Sequence, residues 1–308
     1  MGLLPLTAQQ ASRQSATRTY DVNGRLVEVG GVSSTTATTA TARTERSRSI
    51  NGRLTPLESV EETVLEQGPG GKVIERLTRR YDPTGRQGSP EKVRIEERKN
   101  ADGSTTVETI TWQGDVNGRL QLFEKSVTQS VKSGETQRSE TMVQRPSPGG
   151  ALELVEKRVV VETGKPESLD TDATLYRKNQ GGSLYQAARE VTQRRVQQGV
   201  TTETSTQYNA ANSGKLEFAG STASRTEKRP DGSEIQTVDV YGTVAQGRTI
   251  EGYSSGPKLR EQQVIERTPG ASGAVETVSI RRPALEGSQL GPLRKISETH
   301  CTGDCARK

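Results

Sequence analysis

Apolar and polar residues alternate along short stretches of the chain. "STTVETITWQ" (104–113), "SEIQTVDVYG" (233–242) and "AVETVSIRR" (274–282) mix Thr, Val, Ile and aromatics with a period near two. That is the pattern of β-strands with one preferred face. A second kind of run opens "GRLQLFEKSV", "GALELVEKRV" or "GKLEFAGSTA". Its apolar slots at Gly+2 and Gly+4 share a face, while the slot at Gly+5 falls on the other. Either the buried face reverses there, or a bulge restores it. One segment pulls differently. "SLYQAAREVTQRRVQQ" (183–198) sets Leu184, Ala187, Ala188 and Val191 at helical spacing.

The runs recur. A turn-like residue followed by Gly-x-Leu stands at Gly24, Gly52, Gly118, Gly150, Gly182 and Gly214, and Gly85 carries an altered copy. The period is about 32 residues, and self-similarity of this kind outranks a local helix signal. Segment 183–198 is therefore read as strand. A second turn falls midway through most units, as in "GPGG" (68–71), "ADGS" (101–104), "KSGE" (132–135) and "PDGS" (230–233). Asn-Gly at 117–118 suggests a two-residue type I′ hairpin, because both central positions of that turn need positive φ. The expected fold is all-β: an antiparallel β-meander of ~32-residue two-strand repeats, with a β-solenoid as the alternative. Residues 1–18 read as an N-terminal tail or arm, 19–297 as the β-repeat array, and 298–308 as a Cys-bearing tail.

Two of the corners, "TYDVNGRL" (19–26) and "RYDPTGR" (80–86), resemble the tyrosine-aspartate repeats of RHS-type proteins, whose units carry a Tyr-Asp-x-x-Gly-Arg core. The chain is also similar in character to long bacterial β-repeat proteins. The RHS resemblance implies a secreted all-β shell or fibre, often with carbohydrate contact.

Composition sharpens this picture. Leu, Ile, Val and Phe make up about 19% of the 308 residues, so no thick oily core can form. Net charge is only +5, with 43 basic and 38 acidic residues interleaved, so self-repulsion does not force disorder. The basic residues form no stripe and aromatics are few, which argues against nucleic acid. No run of ~18 apolar residues marks a helical membrane span. The opening "MGLLPLTAQQ" lacks the basic leader of a signal peptide.

Candidate chemistry is sparse. The single His300 adjoins Cys301 in "ETHCTGDCARK" (298–308). Cys301 and Cys305 are candidates for a local disulfide, which would suit an oxidising compartment. Metal ligation and an inter-subunit bond are the alternatives. No nucleophile–base pair and no phosphate loop is evident. The chain reads as a non-enzyme without catalytic residues, cofactor or metal. The tract "SSTTATTATART" (33–44) is either a strand with hydroxyl ladders or an O-glycosylated stretch. A long sheet with a thin core and unpaired edges predicts edge-to-edge self-association into a filament. The functional expectation is thus a structural protein of the cell surface or extracellular matrix. A surface adhesin or carbohydrate-binding stalk is the alternative, with glycans as a second partner class.

Overall fold

The computed structural model describes residues 11–21, 25–38, 40–50, 53–115, 117–242, 257–270, 273–283 and 290–303. They form eighteen strands: β1 (Ala11–Tyr20), β2 (Leu26–Ala37), β3 (Thr41–Ile50), β4 (Arg53–Gly68), β5 (Gly71–Arg80), β6 (Glu91–Lys99), β7 (Thr105–Gly114), β8 (Leu120–Ser133) and β9 (Thr136–Pro146), then β10 (Leu152–Lys165), β11 (Ser168–Lys178), β12 (Leu184–Gln197), β13 (Val200–Ala210), β14 (Leu216–Lys228), β15 (Glu234–Gly242), β16 (Lys258–Gly270), β17 (Gly273–Arg281) and β18 (Arg294–Gly303). Each pairs antiparallel with its neighbours in sequence. The segment with helical spacing is strand β12, as the repeat requires.

The sheet does not end. Arg13 to Thr19 of β1 pair antiparallel with Gly303 to Ser297 of β18. The meander therefore closes into a barrel, and the expectations of an open meander and of a solenoid are both corrected. So is edge-to-edge self-association: a closed sheet leaves no edge to template another copy. The closing strands come from the two segments read as tails, 1–18 and 298–308.

Turn chemistry sets the register. At the upper rim, the end holding Asp21, Arg25, Asp115 and 117–119, the corner between β7 and β8 is wider than a two-residue hairpin. Asp115 N–H donates to Arg119 O (2.9 Å), and Gly118 N–H to Asp115 O (2.9 Å). The Asp115 carboxylate accepts from the backbone N–H of Asn117 and of Arg119. This is a three-residue loop with a left-handed glycine, at φ 76°. Gly85, Gly150, Gly182 and Gly214 take the same conformation, while Gly24 and Gly52 lie outside the described residues. At the lower rim a true two-residue turn joins β12 to β13, with Gln198 at φ 50° and Gly199 at φ 78°.

The choice left open at Gly+5 resolves as a bulge. The ladder slips at Phe123, Val155, Ala187 and Ala219, and at Leu57 of the earlier unit. Each extra residue turns the strand so that the Gly+2 and Gly+4 residues before it share a face with the residue two positions after it, as Leu120 and Leu122 do with Lys125. As the composition implied, a single-layer wall has almost no core. Val73, Ala173 and Cys301 are the buried apolar residues among those described. The Ser/Thr tract spans the β2–β3 hairpin, where Thr35 and Thr44 hydrogen-bond through their hydroxyls (3.0 Å).

Candidate functional site: the barrel wall and its lumen

Handedness decides which face of the wall lines the interior. The pairing row Ser12–Thr36–Arg43–Glu61–Leu77–Lys92–Trp112–Leu122 climbs toward the upper rim as it passes from β1 to β8. Twisted sheets close with strands coiled right-handedly about the barrel axis. Seen from outside with the upper rim on top, each strand thus has its successor on its left. In an L-peptide strand running upward, a residue whose side chain faces the viewer sends its own N–H and C=O to the right. Outward residues of upward strands therefore bond to the preceding strand.

Gly114 N–H donates to Pro90 O and Tyr81 N–H to Leu57 O, each at 2.8 Å, so Gly114 and Tyr81 share the outward parity. Downward strands give the complement. Gly164 bonds back to Glu135, Val196 to Glu167 and Lys99 to Gly70, which makes these three positions inward. The two sets of contacts agree around the barrel.

The outer face carries a collar at the upper rim. Tyr20, Tyr81, Trp112, Tyr176, Tyr208 and Tyr241 lie on it, together with the repeat leucines Leu26, Leu54, Leu120, Leu152, Leu184 and Leu216. Several of these leucines are strongly exposed, Leu54 at 61%. Below the collar the same face mixes charged residues with apolar ones such as Val127, Val131 and Met142. Glu75–Lys92 (2.8 Å), Glu108–Lys125 (3.0 Å), Glu140–Lys157 (2.7 Å) and Asp172–Arg189 (2.6 Å) repeat at the sequence period as an arc of cross-strand ion pairs from β5 to β12. Lys92 Nζ also lies 5.9 Å from the Trp112 ring centre.

The inner face mixes polar pairs with apolar residues such as Ile74, Ile95, Val107 and Leu175. Hydroxyl pairs cross the strands at Thr128–Thr141 (2.8 Å), Ser130–Ser139 (2.8 Å) and Thr17–Thr299 (2.9 Å), the last across the closing seam. Inward ion pairs include Glu62–Arg76 (2.8 Å), Glu124–Arg145 (2.9 Å) and Glu156–Arg177 (3.4 Å). Eighteen strands at ~4.8 Å spacing and ~40° tilt enclose a cylinder about 36 Å across between backbones, or about 25 Å once side chains are allowed for. Such a wall can bound a column of water wide enough for small hydrated solutes.

Of the residues singled out in the sequence, Cys301 is buried on the inner face of β18 and is disulfide-bonded. Cys305 lies outside the described residues. His300, next to it on the outer face, contacts the Glu298 carboxylate (2.7 Å). The described glycine corners, Gly85, Gly118, Gly150, Gly182 and Gly214, lie at the upper rim, remote from the middle of the lumen wall. The sequence reading missed the lumen itself, because polar and apolar residues occur on both faces, which closure alone tells apart.

No protein-family model matches this chain, and no curated protein does. Among solved structures it is similar to "Salmonella typhi OmpF complex with Daunomycin", with a TM-score of 0.53 over 96% of this chain and 97% of that one, at 8% identity. The class that fold and wall define is a large closed antiparallel β-barrel of porin-like architecture. The likeness is one of fold. It completes the correction of the filament reading, since a barrel that matches along nearly its whole length offers no strand for polymerisation. The expectation of no membrane span is corrected with it, because it rested on searching for an apolar helix, and barrels cross membranes with strands. Among the described residues no helix is long and apolar enough to cross a membrane, which says nothing of a barrel.

Proposed function

We propose that the chain is a channel-forming barrel of the cell surface, non-enzymatic, whose water-filled lumen passes small polar solutes. The observation that carries this is the closed eighteen-strand wall, whose inner face carries cross-strand hydroxyl pairs and Glu–Arg ion pairs. Barrels of this strand number leave an aqueous passage, whereas eight-stranded ones fill with side chains. The porin-like fold supports the same reading. Reconstitution tests it: proteoliposomes should release small sugars and retain polymers wider than about 25 Å. Proteoliposomes shown to hold the inserted barrel, yet retaining small sugars, would contradict it.

The outward ion pairs favour a second reading on one point. A cationic side chain facing lipid at the bilayer midplane is unfavourable by about 2–4 kcal/mol. In this second reading lipid meets only the collar, and the ion pairs below it face water or an encircling partner. Depth-resolved fluorescence quenching distinguishes the two, with Trp112 as the collar probe and Val127→Trp as the probe below it. Quenching of both by lipid-borne quenchers favours a wall embedded along its height; quenching of Trp112 alone favours the collar.

A further inference from the structure

The inner wall is not uniform. Across β10 to β13 it sinks into a hollow of about 310 Å³ lined by Arg158, Ala173, Leu175, Ala188, Glu190 and Asn209, among others. The depression has a local cause. One pairing row runs Arg158–Leu175–Ala188–Asn209, and the next runs Val160–Ala173–Glu190–Gln207–Gly220. Alanines at 173 and 188 and glycine at 220 hold back the wall where its neighbours carry long side chains.

The charges around the hollow are sorted. Glu156 is already neutralised by Arg177 (3.4 Å). Glu190 accepts a hydrogen bond from the Ser205 hydroxyl (2.7 Å) and has no cation paired with it among the described residues. Arg158 likewise has no ion-pair partner among them. The residues opposite it, Thr141 and Leu175, are neutral. Arg158 and Glu190 sit two strands and two residues apart, about 12 Å between Cα atoms at ordinary sheet spacings. They stand as an uncommitted cation and anion at two sides of a floor made by Ala173, Leu175 and Ala188.

We propose that this hollow is a binding site for a small zwitterion of the amino-acid type. Its carboxylate meets the Arg158 guanidinium, which presents a planar fork of donors suited to that group. Its ammonium meets the Glu190 carboxylate, with the Asn209 side chain beside it. Its aliphatic side chain rests on Leu175 and the two alanines. A simple anion would leave Glu190 unmatched, and a simple cation would leave Arg158 unmatched. The zwitterion satisfies both. The proposal rests on the lumen reading, since it needs this face to be wetted and reachable.

The test is ligand-observed NMR or calorimetry on the full folded chain with leucine, with 4-methylpentanoate, which lacks the ammonium, and with 3-methylbutylamine, which lacks the carboxylate. Leucine should bind at least tenfold more tightly than either. Arg158→Gln and Glu190→Gln should each reduce leucine affinity at least tenfold while the β circular-dichroism signal stays unchanged. Equal binding of leucine and one analogue would overturn the zwitterion assignment, and no binding, or unaltered binding in both variants, would overturn the site. Failure of the channel reading is seen separately: thiol reagents would not reach cysteines placed elsewhere on the inner wall, and leucine release from proteoliposomes would be absent.

Discussion

Deleting β1 tests closure, and the structure sets the size of the effect. Ala11–Tyr20 pairs at seven positions with β18 and at nine with β2. An antiparallel ladder averages about one backbone hydrogen bond per registered pair, and each contributes about 0.5–1.5 kcal/mol net. Sixteen pairs then amount to about 8–24 kcal/mol, as large as the whole stability of an ordinary domain. The barrel cannot simply re-close with one strand fewer. β2 and β18 both run from the upper to the lower rim, so joining them would require a parallel pair in an otherwise antiparallel wall. The truncated sheet should stay open with two bare edges, and bare edges recruit other chains. A protein lacking residues 1–20 should therefore elute as oligomers or aggregate in size-exclusion chromatography with light scattering, while the intact chain elutes as a defined species. A truncated protein that remains monodisperse, at the intact protein's elution position and with its β signal unchanged, would refute closure through this seam.

Other outcomes follow from single sites. Gly118→Ala places a side chain at φ 76°, where nothing crowds the new carbon, so denaturant titration should show only the left-handed backbone penalty, about 1–2 kcal/mol. Gly71→Ala should disturb the structure more, because the added carbon would fall 1.9 Å from the Glu97 carbonyl oxygen and the backbone itself must move. Lys157→Met removes one outward partner of a part-exposed pair; in water this should change stability by under ~1 kcal/mol, and a loss of several kcal/mol would mean that the pair is held away from water. At the rims, the Asp82 carboxyl lies below its usual range because the Thr84 hydroxyl, then the Arg86 backbone N–H, donate to it, and Ser104 does the same for Asp102. Depressed carboxyls stabilise above the unfolded value near 3.9 and lose that contribution as pH falls through the lower folded value. Carboxyl NMR should find both midpoints below about 3.9, and Thr84→Val should move that of Asp82 upward.

Much of the wall is legible in the sequence. The Gly-x-Leu recurrence marked the upper-rim corners, the midway turns marked the lower rim, and the Gly+5 clash of faces pointed to a bulge as one of two options. The repeat also overrode the helical spacing of Leu184, Ala187, Ala188 and Val191 correctly. What could not be read was the seam. "ASRQSATRTY" has almost no apolar alternation, so nothing local distinguishes β1 from a tail, and its partner β18 lies at the other end of the chain. Without the seam, the sheet keeps two edges, and edges led to a filament. The lumen was hidden for a related reason. Thr128 and Val127 are neighbours of similar size, and only the direction of the backbone hydrogen bonds assigns one inward and the other outward. The Asn-Gly pair at 117–118 marks a corner, but the Asp115 carboxylate stabilises a wider loop there than the dipeptide alone suggests.

The central claim is a closed wall around water, and an inward cysteine tests it most directly. In Thr128→Cys the thiol should point into the lumen. A small polar maleimide should label it in the folded barrel. A maleimide on a polymer coil wider than about 25 Å should spare it until the barrel is unfolded. Labelling of folded Thr128→Cys by the polymer at the small reagent's rate would contradict the account.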